Sequence, residues 1–121
     1  MEKILIAEDE KPLAKALELK IKNSGFAVEV AQDGEEALEK MQRNSYDLLL
    51  LDLMMPKKDG FQVLAEMQEK KIQIPTLVST NLSQTEDEKK ARSFGVVDYF
   101  VKSNTPLSVV IEKIKQALSK R

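Results

Sequence analysis

Leu48-Leu49-Leu50-Leu51-Asp52 is an unbroken apolar run that stops on an acid. A run this short, apolar at every position instead of at alternate ones, reads as a strand covered on both faces, as strands of a parallel sheet are. Ile4-Leu5-Ile6-Ala7 repeats the pattern and runs into Glu8-Asp9. If both runs are buried parallel strands, their three acids emerge on one edge of the sheet, where mutual repulsion calls for a cation or a proton. The same residues therefore predict a fold and, at its edge, a metal site.

Working outward, strand-like runs start near Lys3, Ala27, Leu48, Thr76 and Asp98, each followed by helical spacing or helix-start chemistry. Five βα units predict an α/β fold, a doubly wound, flavodoxin-like (βα)5 domain with a five-stranded parallel sheet of order 2-1-3-4-5. The strand order then reverses between the first and third strands, and such sheets bind ligands at that point, beyond the strand C-termini. The first helix carries Pro12 in its first turn and Leu13, Leu17 and Ile21 at four-residue spacing. The second opens on a capping box, Asp33 with Glu36, and buries Ala37, Leu38 and Met41. The third repeats that logic with Asp59 and Gln62, followed by Phe61, Leu64 and Ala65 as its apolar face. The last has Thr105 as cap, Pro106 at its first position and a stripe of Leu107, Val110, Ile111, Ile114, Ala117 and Leu118. The fourth is the exception. Ser83 and Glu86 suggest a capping box, but from Gln84 to Ser93 the only apolar residue is Ala91, so this helix should be the least firmly packed.

Composition narrows the chemistry. The 121 residues suit one domain, and 19 basic against 20 acidic residues, net −1, give no field to draw in nucleic acid or an anionic membrane. With no cysteine and no histidine, disulfides, thiol nucleophiles, imidazole bases and the usual transition-metal ligands are excluded. Oxygen ligands and hard cations remain. Met1-Glu2-Lys3 leads straight into a strand, with no signal-peptide core and no apolar stretch near the ~20 residues needed to span a bilayer, so a cytoplasmic location is expected.

Next to the acidic trio, the ends of the fourth and fifth strands offer Thr80, after Thr76-Leu77-Val78-Ser79, and Lys102, after Tyr99-Phe100-Val101. Acids alone suggest Mg²⁺, which takes oxygen ligands and is usually shared with phosphate; the hydroxyl and ammonium suggest the phosphate. A carboxylate can attack a phosphoryl group to give an aspartyl phosphate when cations neutralise the equatorial oxygens. Asp52, standing alone at its strand end, is the candidate nucleophile.

ILIAEDE, YDLLLLDLMMPKKDG, IPTLVST and DYFVKS, four motifs in order with compatible spacing, resemble the receiver domain of bacterial two-component response regulators across essentially the whole chain, 1–121. The resemblance implies that Asp52 is the phosphoacceptor and that Glu8 and Asp9 form the acidic pair, Asp9 ligating Mg²⁺ directly and Glu8 through water. It implies a backbone carbonyl ligand from Met54, phosphoryl contacts from Lys102 and Thr80, and a rotamer switch at Tyr99 coupled to Thr80. The donor would be the phosphohistidine of a sensor histidine kinase or histidine phosphotransfer protein, since this chain has no histidine. The output face would be the fourth helix, fifth strand and fifth helix, where Val109 lies off the apolar stripe. Two acids before the tyrosine and late arginines in the last helix, associated with dimerisation through this face, are only partly matched by Val97-Asp98, Lys113 and Lys115, leaving a monomer or a phosphorylation-dependent dimer.

The chain departs from that pattern at two points. Ser103 stands where receivers usually have a proline joined through a cis bond. A cis bond before a non-proline costs about 2.5 to 4 kcal/mol, so a trans Lys102-Ser103 bond and an altered loop are expected. Asn81 replaces a small residue after the threonine. Met54 and Leu82, at positions that resemble those tuning the lifetime of the phosphoryl group, are apolar and poor at orienting water.

The enzyme alternative is a Mg²⁺-dependent aspartyl-phosphate phosphatase or phosphotransferase, which normally has an acid-base Asp two residues after the nucleophile; position 54 is Met. The chain is therefore read as no enzyme beyond promoting its own phosphorylation and slow dephosphorylation. A flavin or dinucleotide module needs a glycine- or hydroxyl-rich first loop, and Glu8-Asp9-Glu10 would repel its phosphate. A purely structural adaptor gives no reason to gather three acids, Thr80 and Lys102 at one edge.

Overall fold

Every predicted strand start is a strand start in the computed structural model, which describes residues 1–120. The strands are β1 (Lys3–Ala7), β2 (Ala27–Ala31), β3 (Leu48–Leu51), β4 (Thr76–Thr80) and β5 (Asp98–Val101). They alternate with α1 (Lys11–Asn23), α2 (Gly34–Arg43), α3 (Gly60–Glu69), α4 (Thr85–Arg92) and α5 (Leu107–Ser119), with a short 3₁₀ turn at Lys102–Asn104. All neighbouring strands are parallel, in the order β2-β1-β3-β4-β5.

Side chains of a strand point alternately to the two faces, and here each face is covered by helices. Leu5, Leu49, Leu51 and Val78 join Leu38 and Met41 of α2 and Val63, Leu64 and Met67 of α3 in one core. Ile4, Ile6, Leu48, Leu50 and Leu77 join Leu17 and Ile21 of α1 and Ile111 and Ile114 of α5 in the other. The four leucines of β3 are fully buried, each contributing about 1.5–3 kcal/mol relative to exposure. Register then sets the site: Ala7 lies opposite Leu51, Leu51 opposite Val78, and Thr80 opposite Val101. Glu8, Asp52, Thr80 and Lys102 consequently leave the sheet at one edge.

Several helix details differ from expectation. Asp33 accepts from the Glu36 amide (2.8 Å), but the Glu36 carboxylate reaches back to the Gln32 amide (2.7 Å), one residue further than a capping box. The Asp59–Gln62 box is complete. The buried face of α3 is Gly60, Val63, Leu64 and Met67; Ala65 is exposed, and Phe61 is half-buried beneath the Lys90 ammonium, 4.4 Å from its ring centre. Ser83 does not cap α4, which starts at Thr85 after an uncapped Gln84. Thr105 does not cap α5 either: the 3₁₀ turn intervenes, Thr105 Oγ1 donates to the Val101 carbonyl (2.9 Å), and Pro106 precedes the helix. As expected, α4 buries a single side chain, Ala91. Asp47 is structural, accepting from the Lys3 amide at 2.8 Å.

The loop after β3 is braced by close backbone contact. Gly34, the first residue of α2, lies so near the loop that a Cβ there would overlap the Lys58 carbonyl. Because the obstacle is backbone, it cannot be relieved by a rotamer change. Gly34→Ala is expected to lower stability by about 3 kcal/mol, read as a fall in the urea midpoint at unchanged slope.

Candidate functional site

The acids predicted from sequence come together. Oxygens of Glu8, Asp9 and Asp52 lie within 4.8 Å of one another. Glu8 and Asp52 are 3 % and 2 % exposed, and Asp9 is more open to solvent. Backbone bonds between strands fix the first two: the Glu8 amide donates to Ala31 and the Asp52 amide to Ala7, both at 3.0 Å. Gly60 packs against the Asp52 carbonyl and the Leu53 Cα, where a Cβ would sit 2.6 Å from each, so α3 begins directly behind the acid.

Lys102 is the hub of the cluster. Its Nζ lies 2.8 Å from Asp52 Oδ2, 3.0 Å from Glu8 Oε1 and 2.8 Å from Glu10 Oε2. Glu10 was not a candidate from the sequence, yet it is a direct partner of the lysine. The only hint lay in its place two residues after Glu8, whose Oε2 accepts the Glu10 amide at 3.1 Å. Four carboxylates, Glu8, Asp9, Glu10 and Asp52, thus face one ammonium, a formal charge of −3. Burial pushes the Glu8 carboxyl up to about 7, only partly offset by its bond to Lys102. Burial works against the Lys102 ammonium too, but bonds from Asp52, Glu10 and Glu8 outweigh it and hold the lysine above its usual range. An all-oxygen, net-negative cluster with converging carboxylates fits a hard divalent cation such as Mg²⁺.

The second half of the site is a linked pair of loops. Thr80 is fully buried, and its Oγ1 accepts from the Leu82 amide at 3.3 Å. The Leu82 carbonyl accepts from the Tyr99 hydroxyl at 2.6 Å, so Tyr99 is turned inward under the loop after β4. Burial, followed by the nearby Asp87, Glu88 and Asp52, raises the Tyr99 phenol above its usual range and keeps it a donor. The Met54 amide donates to Asp52 Oδ1 at 3.1 Å. Its side chain is 54 % exposed while Met55 faces the core, so only one of the two methionines anchors that loop. The Met54 and Leu82 side chains flank an open cleft beside Asp9. No peptide bond among the described residues is cis, so Lys102-Ser103 is trans, as its sequence predicts.

On the face formed by α4, β5 and α5, Asp98 bonds Lys113 (2.8 Å) and Arg92 (3.4 Å) within the chain. Val97 and Val109 are exposed there. No helix among the described residues is long and apolar enough to cross a membrane.

Comparison with known proteins agrees with this arrangement. The model of the response regulator receiver domain family matches residues 4–115. The transcriptional regulatory protein DltR of Streptococcus agalactiae is 37% identical over 100 residues, covering 83% of this chain and 45% of DltR. The alkaline phosphatase synthesis transcriptional regulatory protein PhoP of Bacillus subtilis is 36% identical over 107 residues, 88% of this chain and 45% of its own. The chain thus spans about half the length of these curated relatives. Among solved structures, the receiver domain of Francisella response regulator 1452 superposes with a TM-score of 0.93 at 29% identity, over 99% of this chain and 98% of that one. Response regulator TrrA of Thermotoga maritima, solved in complex with Mg(2+)-BeF, superposes at 0.84 with 31% identity, over 97% and 99%. A family model spanning nearly every strand and helix, on a sheet whose order the sequence already predicted, leads to one conclusion: the chain belongs to the response regulator receiver domain family of two-component systems.

Proposed function

We propose that this receiver takes a phosphoryl group from a partner phosphohistidine onto Asp52. The observation that carries the reading is the convergence of Glu8, Asp9 and Asp52 around one point with Lys102 bonded to Asp52. Glu8, Asp9, Asp52 and the Met54 carbonyl would hold Mg²⁺, which when bound neutralises phosphoryl oxygens as charge is redistributed. The bond formed joins an Asp52 oxygen to phosphorus; the bond broken joins phosphorus to the imidazole nitrogen of a sensor histidine kinase or histidine phosphotransfer protein. Lys102, released from part of its carboxylate cage, meets one phosphoryl oxygen, and the Thr80 hydroxyl meets another. A Thr80 drawn toward the phosphoryl group gives up the Leu82 amide, and Tyr99, bonded to the same residue's carbonyl, responds with it. The α4–β5–α5 face then changes, α4 most easily because Ala91 alone anchors it.

The alternative of a Mg²⁺-dependent phosphatase or phosphotransferase needs a proton-transfer group beside the acyl phosphate, and the side chain two residues on, Met54, is apolar and points to solvent. A cytoplasmic location suits the proposed donor. Mass spectrometry after treatment with acetyl phosphate tests the reading: a phosphoryl adduct that needs Mg²⁺ and disappears with chelator supports it, and turnover without an adduct refutes it.

The apolar flanks at Met54 and Leu82 should give the adduct a long lifetime, since neither can orient an attacking water. Leu82→Glu or Met54→Asn is expected to speed its hydrolysis by about tenfold, within the range of general-base assistance. Half-lives unchanged in both variants would remove water orientation as the control.

A further inference from the structure

Asn81 and Ser103, the two departures from the receiver pattern, are hydrogen-bonded to each other. The Ser103 amide donates to Asn81 Oδ1 at 3.0 Å, across 22 residues of chain. Ser103 lies in the first turn of the 3₁₀ segment Lys102–Asn104, whose leading residue, Val101, supplies no side-chain cap. The first amides of any helical turn lack internal acceptors, so such a turn needs one from elsewhere. Asn81 provides it from the neighbouring loop.

The pairing is chemically specific. A backbone N–H can only donate, so the facing atom of the carboxamide must be its carbonyl oxygen. A proline at 103 would have no N–H to offer, and it would push Lys102 away from helical backbone angles. An alanine at 81 would have no side-chain acceptor. The two positions therefore make sense together and not separately.

The location gives the bond a role. Asn81 lies between Thr80 and Leu82, whose hydroxyl and amide are themselves joined, while Ser103 directly follows Lys102. The bridge thus ties the loop that bears Thr80 to the turn that bears Lys102. We propose that Asn81 is a positioning residue: through the Ser103 amide it couples the Thr80 loop to the Lys102 turn, so that the two phosphoryl-binding arms and the start of α5 move as one unit. This rests on the phosphoacceptor reading given above. The charge cage holds the lysine from the acid side, through Glu8, Glu10 and Asp52, whereas the Asn81 bridge fixes the backbone behind it.

The test is residue-resolved NMR on the full chain, with beryllofluoride and Mg²⁺ as the phosphoryl analogue. In the metal-free protein, Asn81→Ala should accelerate hydrogen exchange at the Ser103 amide severalfold, and Asn81→Asp, which keeps an acceptor oxygen, should restore slow exchange. On adding the analogue, the amide shifts of Ser103, Asn104, Thr105 and Leu107 should be at least halved in Asn81→Ala relative to wild type, while those near Asp52 persist. Unchanged Ser103 exchange in Asn81→Ala, or an undiminished response from 103 to 107, overturns the coupling and leaves the phosphoacceptor reading intact. No response near Asp52 in the wild-type protein overturns the phosphoacceptor reading itself, and the coupling with it.

Discussion

Replacing Asp52 with Asn is expected to abolish the phosphoryl adduct, slowing its formation by roughly a thousandfold or more, the scale on which loss of a nucleophile acts. The amide oxygen carries no charge and is a weak nucleophile. The fold should tolerate the change. Asn keeps an acceptor for the Met54 amide, and Lys102 retains Glu8 and Glu10 as partners. One charge-assisted bond is lost, but one negative charge also leaves a cluster that holds four acids against one base. Stability without metal should therefore stay within about 1 kcal/mol of wild type, measured by urea unfolding. An adduct surviving in folded Asp52→Asn would move the chemistry to Glu8 or Asp9.

Lys102→Ala should destabilise the protein as strongly as Gly34→Ala, but for an electrostatic reason. Its side chain is 10% exposed and bonded to Asp52, Glu8 and Glu10. Removing the cation leaves buried carboxylates without compensation, a loss of about 3 kcal/mol in metal-free solution at neutral pH. Two further measurements separate this cause from a simple packing defect. Added Mg²⁺ should recover part of the loss, because a ligand that binds only the folded state stabilises it. Acid should help as well, and the sign follows from Glu8. Burial raises its folded-state carboxyl from the ordinary 4.5 to about 7, so the folded chain holds a proton there that the unfolded chain has released. Metal-free stability accordingly falls as pH rises from about 4.5 to about 7 and is regained on acidification, more steeply in Lys102→Ala than in wild type. A deficit indifferent to both Mg²⁺ and pH would mean that the lysine acts through its hydrocarbon stem.

The parts of the molecule legible in its sequence are those whose causes are local or periodic. Apolar runs ending on acids placed β1 and β3, and with them Glu8, Asp9 and Asp52, because strands in register deliver their next residues to one edge. The helix stripes of α2 and α5 followed from spacing, and that of α1 in part: Leu17 and Ile21 are buried as expected, while Ala14 is buried beside a partly buried Leu13. The α3 stripe did so only for Leu64 and, partly, Phe61. Phe61, Leu64 and Ala65 have helical spacing too, and what selects Val63 and Met67 instead is the close approach of Gly60 to the Asp52–Leu53 backbone. The cap at Thr105 failed because its hydroxyl is claimed by the 3₁₀ turn, and that at Ser83 because α4 starts one residue later, with Gln84 in the capping position. Glu10 and the Asn81–Ser103 bridge were illegible because each partner lies on a distant segment.

Ala91, the one buried side chain of α4, leaves that helix held far more lightly than the strand ends that carry the acids. The acids and Lys102 sit at the ends of strands locked into two cores, where substitutions disturb packing. The outer residues of α4, among them Glu86 and Lys89, answer to no such constraint. That helix can drift through sequence space at little cost to folding or chemistry. Substitutions on the outer side of α4 are therefore expected to alter what that surface can contact while leaving the acids, Thr80 and Lys102 in place.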